Sequence, residues 1–534
     1  MKRIGLGVLI IAGAISACIF FGEEKEAHFL TGMPLACAEN RCAVARPCCQ
    51  NLRGTHNLSH NTLSTFKTLS PQEKRSILAQ NCDELRELAT LRMEKALKKK
   101  NRSKRHKQAK INILIIGNGG GGGHKAAGDA ITQILRELPH GENLFEVVYT
   151  EPFMKFFDNL WNKALQAENG KRLAWLSGQK GALDTWLNVF PLSSILKHKV
   201  KSAMRHPDVI IVAQPVGPVR FKKIAQSLGA QVRFIPTDLY VNHFIEGIKN
   251  ISANDFRCAV DIMGGIPELI QTLETQKILN YSPVGYPTRP TILTLAENLY
   301  HADKKIRIKA EEQIADFLKK QRGFGIKKGV IHENIDYQKG DNHIFVMMGG
   351  KGTLQSRLVR YAHIIAEHAQ TLAPKNHTLH LFIALAESST QALKEELLKV
   401  HKKLGKDPCI VIHALGKVAA QEVGMLMASG VTLSKAGGST VAELLTLKSP
   451  VVFDMNISKH IIWEKFAADL FEKNKWGIQL KDSNDDKEVS AALKKAFSMR
   501  AECIKTMPSN QFHLDWPKAL MDDLSLFLCD QLAR

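Results

Sequence analysis

Two hydrophobic patterns alternate along the chain from position 111 onward. Short runs that are apolar almost throughout, such as Ile111-Asn112-Ile113-Leu114-Ile115-Ile116, give way to longer stretches with helical periodicity, such as Lys125 to Leu138. A run of the first kind reads as a strand buried on both faces, and a stretch of the second as a helix covering it. Further strand runs are Phe145–Tyr149, Val209–Val212, Val232–Ile235, Ile344–Met348, Leu379–Ile383, Cys409–Ile412, Val431–Leu433 and Val451–Phe453. Helical stretches between them predict an α/β fold with parallel sheets covered on both faces. A long helical insertion, Phe153 to Arg205, interrupts the first half and is rich in Phe, Trp and Lys.

Glycine-rich turns punctuate this alternation where a strand passes into a helix. The first is Gly117-Asn118-Gly119-Gly120-Gly121-Gly122-Gly123-His124, the second Gly349-Gly350-Lys351-Gly352-Thr353, and the third Ser434-Lys435-Ala436-Gly437-Gly438-Ser439-Thr440 ahead of Val441-Ala442-Glu443. Glycine lets a ligand approach the backbone, and the N–H groups at a helix start attract negative charge, so each turn suits a phosphorylated ligand. His124 stands where its helix begins, a place that disfavours the imidazolium and suits a neutral, proton-accepting ring. It serves equally as a phosphate ligand or a helix cap. Turns of this kind in two similar halves point to a ligand held in a cleft between domains.

Composition adds partners and an ordering of segments. The chain of 534 residues is long enough for several domains, and its formal net charge of +21 calls for anionic partners. Residues 1–22 read as a signal or anchor segment: Lys2-Arg3, then an apolar run from Ile4 to Phe21. Ile15-Ser16-Ala17-Cys18 also fits a lipoprotein cleavage box, and an uncleaved anchor remains equally open. Residues 23–110 read as a tether with some helix, ending in the basic run Lys98 to Lys107. That run suits an anionic membrane surface or a solvated linker; no aromatics interleave its charges, so no nucleic-acid partner is expected. In the insertion, Phe153, Phe156, Phe157, Trp161, Trp175 and Trp186 offer either a lipid-facing surface or ordinary core, with Lys197, Lys199, Lys201 and Arg205 beside them. Cys37, Cys42, Cys48 and Cys49 crowd one short segment without the paired spacing of a zinc module, and the scattered Cys258, Cys409, Cys503 and Cys529 read as buried thiols.

Several stretches taken together resemble glycosyltransferase family 28, in the branch of the monogalactosyldiacylglycerol synthases and bacterial diacylglycerol glucosyltransferases. A more distant similarity is to the cell-wall enzyme that adds N-acetylglucosamine to the lipid-linked muramyl peptide. The matching stretches are Gly121-Gly122-Gly123-His124-Lys125-Ala126-Ala127, Pro207-Asp208-Val209-Ile210-Ile211, Thr237-Asp238-Leu239 with His243, Gly285-Tyr286-Pro287-Thr288-Arg289-Pro290, Met348 to Gly352, and Ser434 to Glu443. They occur in family order over about 111–480.

The resemblance implies a GT-B type fold of two Rossmann-like domains facing across a cleft: residues 111–290 as acceptor domain, 291–500 as donor domain and 501–534 as a C-terminal helical tail. It implies an inverting transfer of a hexose from a UDP-sugar to a membrane lipid such as diacylglycerol. His124 is then the base, with Asp238 orienting it or replacing it. Gly349, Gly350, Lys435, Gly437, Gly438, Ser439 and Thr440 hold the donor, Glu443 its ribose, and Gly121, Gly122, Gly123 and His243 border the acceptor. No Asp-x-Asp triplet occurs in the chain, so no metal and no cofactor are expected. Because nucleotide sugars are cytosolic, the expected place is the cytoplasmic face of the inner membrane, with lipoprotein or extracytoplasmic placement still open.

Two departures from the family pattern bear on specificity. Where the family carries Gln-containing donor contacts, this chain has Ser458-Lys459-His460-Ile461-Ile462-Trp463-Glu464-Lys465, and Glu246 replaces an aromatic residue near His243. Two other readings stay open: a nicotinamide-dependent oxidoreductase using Gly117, Gly119 and Gly122 with Glu151 for ribose, and a catalytically inactive membrane-tethered binding module of the same fold.

Overall fold

The computed structural model describes residues 110–524 apart from several intervening stretches, the longer of them 239–256, 259–281, 385–394 and 400–409. Two parallel sheets organise it. The first comprises β1 (Ile111–Ile116), β2 (Phe145–Thr150), β3 (Val209–Val212) and β4 (Gln231–Phe234), in the order β2-β1-β3-β4. All three pairings are parallel, with Ile113 opposite both Val147 and Val209. Five of the six β1 residues are buried, as a strand covered on both faces requires. Helix α1 (Gly123–Glu137) follows β1 and buries Ala127, Ala130, Ile131 and Leu135. The insertion forms α2 (Lys155–Gln166), α3 (Gly170–Gly178) and α4 (Leu192–Ala203), and α5 (Pro218–Leu228) links β3 to β4. A short parallel pair, β5 (Arg257–Cys258) and β6 (Ser282–Pro283), completes this half.

Helices α6 (Pro290–Leu299) and α7 (Lys304–Lys320) lead to the second sheet. Its strands are β7 (Phe324–Lys327), β8 (Val330–Glu333), β9 (Asn342–Met347), β10 (Leu379–Ala384), β11 (Ile410–Leu415), β12 (Val431–Ser434), β13 (Val451–Asp454) and β14 (Gly477–Leu480). Their order is β14-β13-β12-β9-β10-β11-β7-β8, parallel as far as β11 and closed by an antiparallel β7–β8 hairpin. Between them lie α8 (Gln355–Glu367), α9 (Ala369–Leu372), α10 (Ala420–Ser429), α11 (Gly438–Thr446), α12 (Met455–Ser458) and α13 (Ile462–Lys473), and α14 (Asp486–Thr506) closes the set. The first hairpin strand and β14 escape the sequence pattern because Phe324-Gly-Ile-Lys and Gly477-Ile-Gln-Leu are interrupted by glycine and polar residues, unlike the continuous apolar runs of the buried strands.

Helix α14 runs through position 500 to Thr506. Beyond it, Trp516, Leu520 and Leu524 return to the first sheet and bury themselves with Ile111, Ile113 and Ile211. Helix α6 begins at Pro290 and serves both halves: Leu293 packs into the core of the first sheet, Ile292 and Leu295 into that of the second.

The insertion also packs inward. Ala164, Leu165 and Leu173 belong to the apolar core of the second half, and Trp161 stacks on Trp463 at 5.8 Å with the rings 18° apart. Trp161 is therefore packed against protein on one side and partly buried, whereas Trp175 is exposed. Phe153 and Trp186, and the side chains of Phe156 and Phe157, lie outside the described residues, as do residues 1–109 with their anchor, tether, basic run and crowded cysteines. Among the described residues no helix is long and apolar enough to cross a membrane. Cys503 is buried, and burial raises its thiol to about 11, which keeps it protonated and unreactive at neutral pH.

Candidate active site

Strand order decides where a ligand can sit. In each parallel sheet one point exists at which neighbouring strands send their connections to opposite faces, leaving a crevice at their carboxyl ends. In the first sheet this point lies between β1 and β3, and in the second between β9 and β12. The glycine turn ending in Gly123-His124 follows β1, Ala213 follows β3, Gly349 lies just beyond β9, and Lys435 follows β12. Of the residues singled out from sequence, the described Gly123, His124, Gly349 and Lys435 thus collect at both crevices.

At the first crevice, His124 Nδ1 lies 2.9 Å from the Ala213 carbonyl oxygen and 2.8 Å from the Thr237 hydroxyl. A carbonyl only accepts, so the neutral ring carries its proton on Nδ1 and its lone pair on Nε2. Thr237, next to Asp238, makes one orienting contact to the ring. Asp238 has a different environment. Its carboxyl is pushed up to about 7, first by burial and then by the Glu464 carboxylate, with Lys435 opposing.

The two crevices face each other across a narrow gap. A Cβ placed on Gly438 would lie 2.1 Å from the Thr237 carbonyl oxygen and 2.6 Å from Asp238 Oδ1. One placed on Gly123 would lie 3.6 Å from Ser439 Oγ. The starts of α1 and α11 therefore meet, and only glycine at 438 permits that approach. Gly349 holds φ at +97°, a conformation that favours glycine, with Lys435 against it; Lys435 Nζ also lies 3.3 Å from a Cβ built on Gly437.

Lys435 forms an ion pair with Glu464, which is buried and also accepts a hydrogen bond of 2.8 Å from Ser458. Glu464 is a site residue that sequence reasoning treated only as part of a departure. Its signal was a carboxylate following the apolar run Ile461-Ile462-Trp463, of which Ile461 is fully buried and Ile462 exposed. Glu443 is also buried, and its Oε1 lies 2.7 Å from Arg289 Nε in a pair joining the chain crossing between halves to helix α11. Tyr286 stands among these charges. Its phenol is pushed well above its ordinary range by burial first, then by the carboxylates of Asp238 and Glu443, against Arg289. Gly121, Gly122, Gly350, His243 and Glu246 lie outside the described residues.

The site has the parts for acid–base chemistry on a ligand bearing phosphate: an oriented imidazole, a carboxyl titrating near neutrality, a helix start and a lysine. It fits a dinucleotide at the first turn poorly. Glu151, the carboxylate such a ligand would use, accepts a hydrogen bond of 3.0 Å from Tyr149. The Tyr149 ring stands over Gly117 and Gly128, so close that a Cβ on Gly117 would lie 2.2 Å from its hydroxyl.

No family model and no curated protein matches the chain. Solved structures of similar layout include Arabidopsis thaliana UGT89C1 complexed with UDP-L-rhamnose, at 12% identity over 78% of this chain and 100% of that one, with a TM-score of 0.40. Acinetobacter baumannii MurG is 11% identical over 76% of this chain and 97% of its own, with a TM-score of 0.38. UDP-GlcNAc 2-epimerase from Neisseria meningitidis, bound to UDP-GlcNAc, is 12% identical over 78% and 99%, with a TM-score of 0.39.

Proposed function

We propose that the protein is an inverting glycosyltransferase of GT-B type that moves a hexose from a UDP-sugar to a membrane lipid such as diacylglycerol, at the cytoplasmic face of the membrane. The observation that carries this reading is the meeting of the two crevices, which sets His124 and Asp238 against the start of α11 and Lys435. The acceptor hydroxyl gives its proton to Nε2 of His124 while its oxygen bonds to the anomeric carbon. The bond from that carbon to the diphosphate breaks, and the electron pair leaves on a phosphate oxygen. Backbone N–H groups at Gly438, Ser439 and Thr440 and the Lys435 ammonium stabilise that developing charge. Nothing in this scheme asks for a metal or a cofactor. Glu443, held by Arg289, orients the ribose in this reading.

A panel of labelled nucleotide sugars incubated with total lipid extract tests the proposal, which expects label in a lipid product. A binding module of the same fold is the second reading, favoured by the Lys435–Glu464 pair, which already neutralises the lysine. UDP binding without transfer from any labelled donor would support it.

A further inference from the structure

We propose that Glu168 and Arg357 form a latch that couples docking of the α2–α3 insertion to the placement of Lys435. Glu168 belongs to the first half and Arg357 to α8 in the second. Arg357 Nη2 lies 2.6 Å from Glu168 Oε2, and Nη1 lies 2.6 Å from Asp454 Oδ2. The Ser356 hydroxyl donates to the other Glu168 oxygen at 3.1 Å. Burial lowers the guanidinium pKa, but Asp454 and Glu168 outweigh it and the net shift is upward. Glu168 is held at φ 51°, in the left-handed region that a residue with a side chain enters at a cost. The strain and the ion pair fall on the same residue, as expected where a contact fixes the turn between α2 and α3.

The second arm of Arg357 runs toward the phosphate side of the cleft. Asp454, buried, accepts from the Asn456 N–H at 2.9 Å and so caps α12, and it also accepts from the Tyr361 hydroxyl at 2.8 Å. Helix α12 ends at Ser458, whose hydroxyl holds Glu464, and Glu464 holds Lys435. The docked insertion touches the same turn elsewhere. Gly170 lies so close to His460 that a Cβ there would fall 2.2 Å from the ring, and Trp161 stacks on Trp463. When the insertion is docked, Arg357 is pinned between two carboxylates and the turn 454–464 has one arrangement. When it is undocked, Arg357 keeps Asp454 and the Ser483 hydroxyl at 2.8 Å but loses Glu168, so the guanidinium that braces Asp454 is free to shift and Lys435 loses its fixed placement. Arg357 and Glu168 are thus positioning residues acting through Asp454 and Glu464.

The docking half of this inference stands without the transfer reading, while the Lys435 half rests on it. The test uses the full chain with Glu168→Gly, which relaxes the left-handed backbone while removing the carboxylate, and Glu168→Gln, which keeps the shape without the charge. Hydrogen exchange is expected to quicken about tenfold in 155–178 and 454–464 in Glu168→Gly, with strands β9 to β11 unchanged. Glu168→Gln should fall between it and the wild type, and the Kd for UDP should rise in the same order. Unchanged exchange in 155–178, or uniformly faster exchange over the whole chain, would overturn the latch. Faster exchange with unaltered UDP affinity would overturn the coupling to Lys435. A wild type that does not bind UDP would refute the nucleotide-sugar reading and the Lys435 half, leaving exchange alone to decide the docking half.

Discussion

Nδ1 of His124 stands 2.9 Å from the carbonyl oxygen of Ala213, a contact that fixes which nitrogen carries the proton. With Nδ1 committed to donation, Nε2 holds the lone pair. His124→Ala should therefore lower turnover by about 10²- to 10⁴-fold, the usual worth of a positioned general base, while UDP binding stays close to wild type. Thr237→Val removes the 2.8 Å orienting contact and should cost roughly tenfold to a hundredfold in kcat through misplacement of the ring. Steady-state kinetics beside UDP titration distinguishes these effects; equal loss of binding and turnover in His124→Ala would make it a ligand-binding residue.

Asp238 titrates near neutrality, and the direction of its effect follows from its raised pKa. Between its ordinary value of 3.8 and about 7 the folded protein holds a proton that the unfolded chain has released. Its contribution to stability is present at the acid end of that window, declines as pH rises, and levels off above about 7. Thermal melts from pH 4 to 8 should show a steeper decline in the wild type than in Asp238→Asn. If ionised Asp238 assists the base, turnover rises through about pH 7 and the variant flattens that rise.

Gly438→Ala places a methyl group 2.1 Å from the Thr237 carbonyl and 2.6 Å from Asp238 Oδ1. Both neighbours belong to the opposing half, so the cleft must open to accommodate it. We expect a loss of about 1–3 kcal/mol of stability and a matching fall in UDP affinity, measured by denaturant unfolding and calorimetric titration.

The Arg289–Glu443 pair is unequally exposed, with the arginine side chain 23% accessible and the glutamate 4%. Arg289→Ala strands a buried carboxylate and should cost roughly 3 kcal/mol. Glu443→Ala leaves an arginine that can reach water, so its cost should be smaller. Urea unfolding of both variants checks the order.

The Tyr286 hydroxyl is buried and has no hydrogen-bond partner among the described residues. Removing a hydroxyl that gains nothing in the folded state relieves its desolvation, so Tyr286→Phe should be at least as stable as the wild type, by up to about 1 kcal/mol. A thermal melt decides the sign.

The parallel strands were legible because a strand covered on both faces is apolar nearly throughout, as β1, β3 and β13 show. The glycine turns were legible because close approach leaves room for no other residue, as at Gly438. What periodicity cannot carry is partnership across distance. Glu443 reads as a ribose ligand from the glycine turn before it, and nothing in the sequence points to Arg289, 154 positions earlier, as its partner. Trp161 reads as either a lipid-facing or a core aromatic until Trp463 is placed against it. Glu464 reads as one residue in an unfamiliar turn until Lys435 and Ser458 converge on it.

Transfer of label from a nucleotide sugar to lipid tests the central claim most directly, with wild-type protein and His124→Ala assayed side by side against the same lipid extract. The account predicts a labelled glycolipid from at least one UDP-sugar with the wild type, and loss of about 10²-fold or more in the variant despite retained UDP binding. Absence of any labelled lipid from every donor, or an equal yield from the two proteins, would contradict it.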